Sequence, residues 1–285
     1  MKKIGITTDC VCDLPEEYLK LHGIGIVYFY ITTATGRFKD GYEITSGNVI
    51  EYLDSGGERA ETNAPEPEEY KEFFEKQLKF CEEVIHISIS SHISNSCPNA
   101  LAATKLMGEQ GKRVHIVDSE HLSTGMGHMV IRAVEMCEDG KSCDDIVSEM
   151  QELKARVSTS FIARNADYLY RNGRVSKAVR NICSALSLHP VLTVKNGKMG
   201  VKNLQIGNYD KSVRRYIKSE LRRSKNLETK RLFITHAGCT VRTINEVKAL
   251  CDKLYGFDEI LVTRASATIS SNCGAGTVGV LYIYE

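Results

Sequence analysis

The chain has 285 residues, 42% hydrophobic and 26% charged, with 37 Lys and Arg against 36 Asp and Glu for a formal net charge of +1. These are ordinary globular proportions, which argue against disorder and a membrane protein. The neutral balance argues against broad polyanion binding, which needs a strongly basic surface. The length suits two moderate cores better than one large one.

The first apolar run, Lys3 to Thr8, reads as a strand and is too brief for a signal peptide or membrane span, so a cytoplasmic location is expected. Asp13-Leu14-Pro15-Glu16 reads as a helix start, with Asp13 as cap and Glu16 completing a capping box, and Tyr18, Leu19 and Leu21 then facing inward. Ile24 to Thr32, Val84 to Ser90 and Arg113 to Asp118 are further strands. Helices are predicted over Glu68 to Phe80, Pro98 to Gln110, Gly125 to Cys137 and Asp144 to Ala155, where apolar residues recur three and four apart. Alternating strands and helices predict an α/β first half with a parallel sheet.

The second half reads as mixed α+β. Two short helical runs flank Asn172-Gly173, and Pro190 to Val194 meets Asn196-Gly197 in a hairpin signal. A helix is expected from about Asp210 to Ser224, strands over Arg231 to Thr235 and Glu259 to Thr263 around a helix Thr243 to Leu254, and a final strand Thr277 to Tyr284. The expected domains are 1–158 and 159–285.

The stretch Val84 to Ala100 carries the strongest chemical signal, because an apolar strand runs into Ser90, Ser91, Ser94 and Asn95 and then into a helix. A helix start leaves N–H groups unpaired and partly positive, so hydroxyls gathered there can hold a carboxylate or phosphate. Plain N-capping is the competing reading. Thr8-Asp9 and Asp118-Ser119 follow strands at the crevice end of the sheet, with loop capping as their simpler role.

Gly274-Ala-Gly276-Thr-Val-Gly279 matches a dinucleotide fingerprint by letters, but a strand rather than a helix follows, so the glycines mark a tight bend where backbone approaches something closely. No Gly-x-Ser-x-Gly elbow is present, and neither His86 before Ser88 nor His236 before Cys239 has a spacing that demands a triad or a metal. The ten cysteines show no Cys-x-x-Cys pairing and read as reduced, mostly buried residues, so no metal is expected. Arg171, Arg174, Lys177 and Arg180 surround the Asn-Gly turn, and Arg214, Arg215, Arg222, Arg223 and Lys225 decorate the later helix. Such arginines are either a solvated face or a grip on an acid.

Taken in order, Thr8-Asp9-Cys10 with Asp13-Leu14-Pro15, Glu61-Thr62-Asn63-Ala64-Pro65, Ser90 to Ser96, Val117-Asp118-Ser119, Gly173-Arg174-Val175-Ser176 and Gly274-Ala-Gly276 make the chain resemble the DegV family of bacterial fatty-acid-binding proteins. The resemblance implies a two-domain DegV-like α/β fold, with one long-chain fatty acid, palmitate- or oleate-like, bound non-covalently between the domains. Its tail would lie in an apolar tunnel and its carboxylate on Thr62 and Ser94, with Asn63, Asn272 and Arg174 nearby.

It also implies a carrier subunit without chemistry or cofactor of its own, which presents its ligand to a fatty acid kinase for ATP-dependent acyl phosphate formation. Arg171 and Lys202 are candidates for contact with that partner or the phosphate. Asn272 stands where the family usually has histidine, Asn63, Ala64 and Asn95 replace Ser, Gln and Gly, and Lys202-Asn203 replaces an arginine. An enzyme that transfers a phosphoryl or acyl group, with the serine-rich loops as oxyanion site, is the alternative. A nucleic-acid-binding regulator is the third reading, disfavoured by neutral charge.

Overall fold

The computed structural model describes residues 2–223 and 226–285. Ser224 and Lys225 lie outside them, as does Met1, and the expected end of the long helix falls there.

A four-stranded parallel sheet is built from β1 (Lys2–Asp9), β2 (Gly25–Val27), β6 (Cys81–Ser88) and β7 (Val114–Asp118) in the order β2-β1-β6-β7. A small antiparallel sheet, β4-β3-β5, joins β3 (Tyr30–Thr33), β4 (Gly36–Lys39) and β5 (Glu61–Asn63). The remaining strands, β8 (Val157–Ile162), β9 (Leu188–Lys195), β10 (Lys198–Ile206), β11 (Arg231–Ala237), β12 (Glu259–Arg264) and β13 (Thr277–Ile283), form a mixed sheet in the order β10-β9-β8-β13-β11-β12. Its strands all follow residue 156, and only β11 and β12 pair in parallel.

The helices in chain order are α1 (Glu16–Leu21), α2 (Ser46–Asp54), α3 (Pro67–Gln77), α4 (Ser96–Leu106), α5 (Ser123–Glu138), α6 (Cys143–Leu153), α7 (Asp167–Arg171), α8 (Lys177–Ala185), α9 (Tyr209–Arg223), α10 (Val241–Leu254) and α11 (Ala267–Cys273). Alternation along the strands decides where they pack. Val84 faces Tyr70 and Phe74 of α3 and Ala100 and Ala103 of α4, whereas Ile85 and Ile87 face Met126, Met129 and Val130 of α5. The other side of α5 meets Phe233 and Leu281 of the mixed sheet, so one helix fills the space between two sheets. Ser123 to Ile131 are all buried, which explains why that helix lacks a polar stripe. Beyond the mixed sheet, Val213, Tyr216 and Ile217 of α9 and Ile244 and Val247 of α10 close a second core.

Three local readings are corrected. Asp13 does not cap α1: Pro15 is the N-cap, and Asp13 takes a left-handed turn (φ 54°) that buries its carboxylate toward the far half of the chain. Leu21 is 80% exposed rather than inward. The run Ile24 to Thr32 divides into β2 and β3, because the chain leaves the parallel sheet at Tyr28 and pairs afresh with β4 and β5.

Candidate functional site

In the parallel sheet β2 lies on one side of β1, and β6 and β7 on the other. Strand order therefore reverses between β1 and β6, and a crevice opens beyond their carboxyl ends. The loop from Ile89 to Asn95 leaves β6 there. Its base is fixed by Asp9, fully buried, whose carboxylate accepts hydrogen bonds from Ser88 Oγ at 2.9 Å, Ser96 Oγ at 2.7 Å, Tyr70 Oη at 2.9 Å and the Ile89 N–H at 2.9 Å. Those donors and the neighbouring His86 hold its pKa below the usual value although burial alone would raise it. Asp9 is thus a structural anchor, saturated and out of reach of a ligand. Asp118 caps loop N–H groups of Ser91 and Glu120, its simpler expected role.

The hairpin between β9 and β10 closes the crevice from the other half. Asn196 and Gly197 both take positive φ, as a two-residue hairpin with right-handed strand twist requires. The Gly197 carbonyl accepts from Ser90 Oγ at 2.7 Å, which docks the tip on the serine loop and brings Met199 over the crevice.

The third wall is α11. Asp40 accepts from the Ala267 and Thr268 N–H groups at 2.9 and 2.8 Å, and Asp13 accepts from the Ser266 N–H at 2.8 Å and from Ser123 Oγ. Two buried aspartates from the first half therefore pin the helix that carries Thr268, Ile269 and Asn272. Burial pushes the Asp13 carboxyl up to about 7 and raises that of Asp40.

These walls enclose two connected spaces. The outer one, with a cavity volume of about 400 Å³, is polar and open, and Thr62, Asn63, Ser94, Asn95, Asn99 and Thr268 are among its lining residues. The inner one, with a cavity volume of only about 50 Å³, is narrow and almost wholly apolar, walled by Phe161, Leu169, Ala237, Ala265, Cys273 and Leu281. Leu122, Arg174, Met199, Ile269 and Asn272 line both and so form the neck.

Hydroxyl groups of the inner wall are turned into the protein. Thr159 Oγ1 bonds His121 Nδ1 at 2.9 Å, Thr235 Oγ1 bonds Thr124 and Thr263, and Thr277 Oγ1 donates to the Cys273 carbonyl. The cavity therefore presents carbon, although the sequence around it is rich in Ser and Thr.

Of the residues expected from sequence, Thr62, Asn63, Ser94, Asn272 and Arg174 share the outer space. Thr62 sits on β5, half buried, and its hydroxyl makes no hydrogen bond to a described residue. Ser94 Oγ accepts from the Ser96 N–H at 3.2 Å, just before α4, whose N-cap is Asn95, so its proton points elsewhere. Arg174 is the cation at the neck: Nε donates to Asn272 Oδ1 at 3.1 Å and Nη1 to the Ile93 carbonyl at 3.4 Å. Among the described residues no carboxylate pairs with it, and burial lowers its pKa without a neighbouring charge to compensate. Asn272 in turn donates from Nδ2 to the Thr268 carbonyl at 2.8 Å, which fixes its oxygen toward the arginine. Arg171 and Lys202 do not line the spaces: Arg171 is exposed at the end of α7, and the Lys202 ammonium lies 2.8 Å from buried Glu220.

Several lining residues carried no sequence signal. Thr268, whose backbone N–H donates to Asp40, lies in α11, a short helix of small polar residues with no amphipathic period. Leu122, Met199 and Ile269 are isolated apolar residues from three separate segments, and Asn99 ties the Thr62 loop to α4 by donating to the Pro65 carbonyl at 2.8 Å. The closing glycines do approach something closely, but it is protein: a β-carbon would meet the Tyr168 ring at Gly274 and Arg164 at Gly276.

Residues 3–285 match the family model described as "Uncharacterised protein, DegV family". A DegV domain-containing protein of Caldanaerobacter subterraneus is 28% identical over 282 residues, 99% of each chain. Among solved structures, that described as "Fatty Acid Binding of a DegV family Protein from Thermus thermophilus" superposes with a TM-score of 0.88 at 26% identity, covering 99% of this chain and 100% of the other. The Streptococcus pneumoniae Fatty Acid Kinase B3 protein, loaded with linoleic acid, has a TM-score of 0.86 over 99% and 100% of the two chains, and at 17% identity it shows the fold alone.

Proposed function

This chain belongs to the DegV family, and from that premise we propose that it binds one long-chain fatty acid, with the carboxylate in the outer space and the tail through the neck into the inner one. The observation that carries the reading is Arg174: a largely buried cation without a described acidic partner, at the one point where a polar pocket narrows into an apolar slot. A buried charge is costly unless paired, and an incoming carboxylate supplies the missing partner. Thr62 and Ser94 offer hydroxyls to the same head group, with Asn63 and Asn272 beside them. Each methylene taken from water into the slot contributes roughly 0.8 kcal/mol, so a long tail needs few polar contacts to be held.

In this reading the two halves, residues 1–158 and 159–285, are separate domains with the lipid between them. The protein is a carrier that leaves chemistry to a fatty acid kinase, to which it presents an exposed carboxylate. Arg171, exposed at the end of α7, and Lys202, paired with Glu220, are the candidates for contact with that partner. None of the described helices is long and apolar enough to cross a membrane.

Mass spectrometry of an organic extract from the purified protein tests the central claim: an acyl chain of sixteen to eighteen carbons, roughly, is expected at one per protein molecule. If no acyl chain is recovered, and added palmitate or oleate leaves the melting temperature unchanged, the reading fails. The carrier claim has its own test. Alone, the protein should neither hydrolyse ATP nor form acyl phosphate, and turnover without a kinase would overturn it.

A further inference from the structure

On the side of the parallel sheet covered by α6, Glu83, His115 and Cys143 come together from three elements. The register pairs Ile85 with His115, and Glu83 lies two residues before Ile85, so both side chains stand on one face of adjacent strands. Glu83 Oε1 and His115 Nε2 are 3.0 Å apart. Cys143, the first residue of α6, is delivered to them by the Ser142 cap, whose hydroxyl accepts from the Asp145 N–H. Carboxylate oxygen, imidazole nitrogen and thiol sulfur all lie within 4.8 Å of one another.

We propose that Glu83, His115 and Cys143 form a binding site for a borderline-soft divalent cation of the zinc class. The donor set is one thiolate, one imidazole and one carboxylate, which suits zinc and leaves a fourth tetrahedral position for water. Glu83 and His115 are partly exposed, at 40% and 27% of their side chains, so solvent reaches that position while Cys143 is buried behind them. Metal–ligand bonds of about 2.0 to 2.3 Å put tetrahedral donors roughly 3.5 Å apart, so separations of up to 4.8 Å would close by roughly 1.3 Å at most.

A cross-strand hydrogen bond accounts for Glu83 and His115 but not for the third member. The Cys143 thiol makes no hydrogen bond to a described residue and sits beside a carboxylate, an arrangement a cation would turn from idle to favourable. On binding, the thiol gives its proton to solvent and the sulfur takes the metal, with no change of oxidation state. The cation would tie the start of α6 to β7, the edge strand of the sheet. Its ligands come from positions 83, 115 and 143, so no local spacing announces them.

Titration of the reduced full-length protein with cobalt(II) tests this. The expected result is one equivalent bound, with a thiolate-to-cobalt charge-transfer band and strong visible bands of a four-coordinate ion, and competition by zinc. Cys143→Ser should abolish the charge-transfer band, and Glu83→Gln and His115→Gln should each weaken binding at least about tenfold. No saturable binding, or a charge-transfer band that survives Cys143→Ser, overturns the site. Should Cys143→Ser not fold, the two partly exposed positions decide, and unchanged affinity in either variant overturns it equally.

Discussion

Arg174 donates from Nε to Oδ1 of Asn272 across 3.1 Å, and this bond aims a guanidinium from the segment between α7 and α8 at a space walled by α11 and the serine loop. Asn272 cannot supply charge, but it can orient a residue that does. Arg174→Ala should therefore weaken palmitate or oleate binding by about 1.5–3 kcal/mol, the range of a charge-assisted hydrogen bond. Asn272→Ala should lose less, about 1 kcal/mol, through a misaimed arginine. Arg174→Lys should recover part of the affinity but not all, since an ammonium cannot hold Asn272 and Ile93 while meeting a carboxylate with a fork. Calorimetric titration of delipidated protein measures all three, and equal affinity for Arg174→Ala and parent would remove the arginine from the head-group site.

The two hydroxyls separate binding from folding in different ways. Thr62 Oγ1 has no described partner, so Thr62→Val, nearly isosteric, should leave the unfolding free energy of delipidated protein within about 0.5 kcal/mol of the parent while reducing affinity by about 1–2 kcal/mol. Ser94 also accepts a hydrogen bond from the N–H of Ser96, the first residue of α4. Ser94→Ala should thus lower affinity by about 1–3 kcal/mol and stability by about 1 kcal/mol together. Identical stability and affinity profiles for the two variants would contradict the distinction.

What could be read from the sequence follows physical lines. Long periodic elements such as α3 and α10 are visible because a wide apolar stripe repeats along them, and the Asn196-Gly197 hairpin because positive φ selects those residues. Elements built on tertiary contact are not. β8 reads Val-Ser-Thr-Ser-Phe-Ile, hydroxyl-rich for a buried strand, and is stable there because Ser160 and Thr159 bond Tyr216 and His121 from elsewhere in the chain. α2 starts with a capping box whose closing member is Asn48 rather than Glu or Gln, and β3, β4 and β5 are only three or four residues each.

The same distinction divides the candidate site. Hydroxyls and arginine cluster in motifs that sequence can show. The apolar neck draws Leu122, Met199 and Ile269 from distant segments, and only folding brings them together. Asp13 misled for the same reason: Asp-Leu-Pro-Glu is a sound cap signal, outweighed by the chance to bind Ser266 and Ser123 across the molecule.

Asp13 and His128 give the protein two opposed pH dependences. Burial raises the Asp13 carboxyl to about 7 in the folded state, so between the ordinary carboxyl value of 3.8 and 7 the folded protein binds the extra proton, and stability falls as pH rises through that window. Burial lowers His128 to about 4, so between 4 and the ordinary 6.5 the unfolded chain binds the extra proton, and stability is lost as pH falls. Asp13→Asn should therefore gain on the parent in melting temperature as pH is raised from about 4 to 7. His128→Gln should gain on it as pH is lowered from 6.5 to 4. Each effect is a few kcal/mol at most, at about 1.4 kcal/mol per pKa unit. Scans every half unit of pH check both, and variant-minus-parent differences that stay flat would refute the assigned protonation states.

The hairpin tip gives the sharpest test of how the two halves define the crevice. Gly197 has φ of 75°, a region that costs an L-residue about 1–2 kcal/mol. A β-carbon there would also stand 2.8 Å from Ser90 Oγ and 2.7 Å from His92 Cδ2. Gly197→Ala should accordingly destabilise by about 1–3 kcal/mol and lift the tip from the Ser90 hydroxyl that donates to its carbonyl. Because Met199 rides on that hairpin and Ser94 on the loop beneath it, fatty acid should dissociate faster than strain in the hairpin alone would explain. Gly200→Ala is the matched control, since nothing lies within 4 Å of its β-position. If the Gly200 variant loses as much affinity as the Gly197 variant, contact between the tip and the serine loop is not what holds the neck closed.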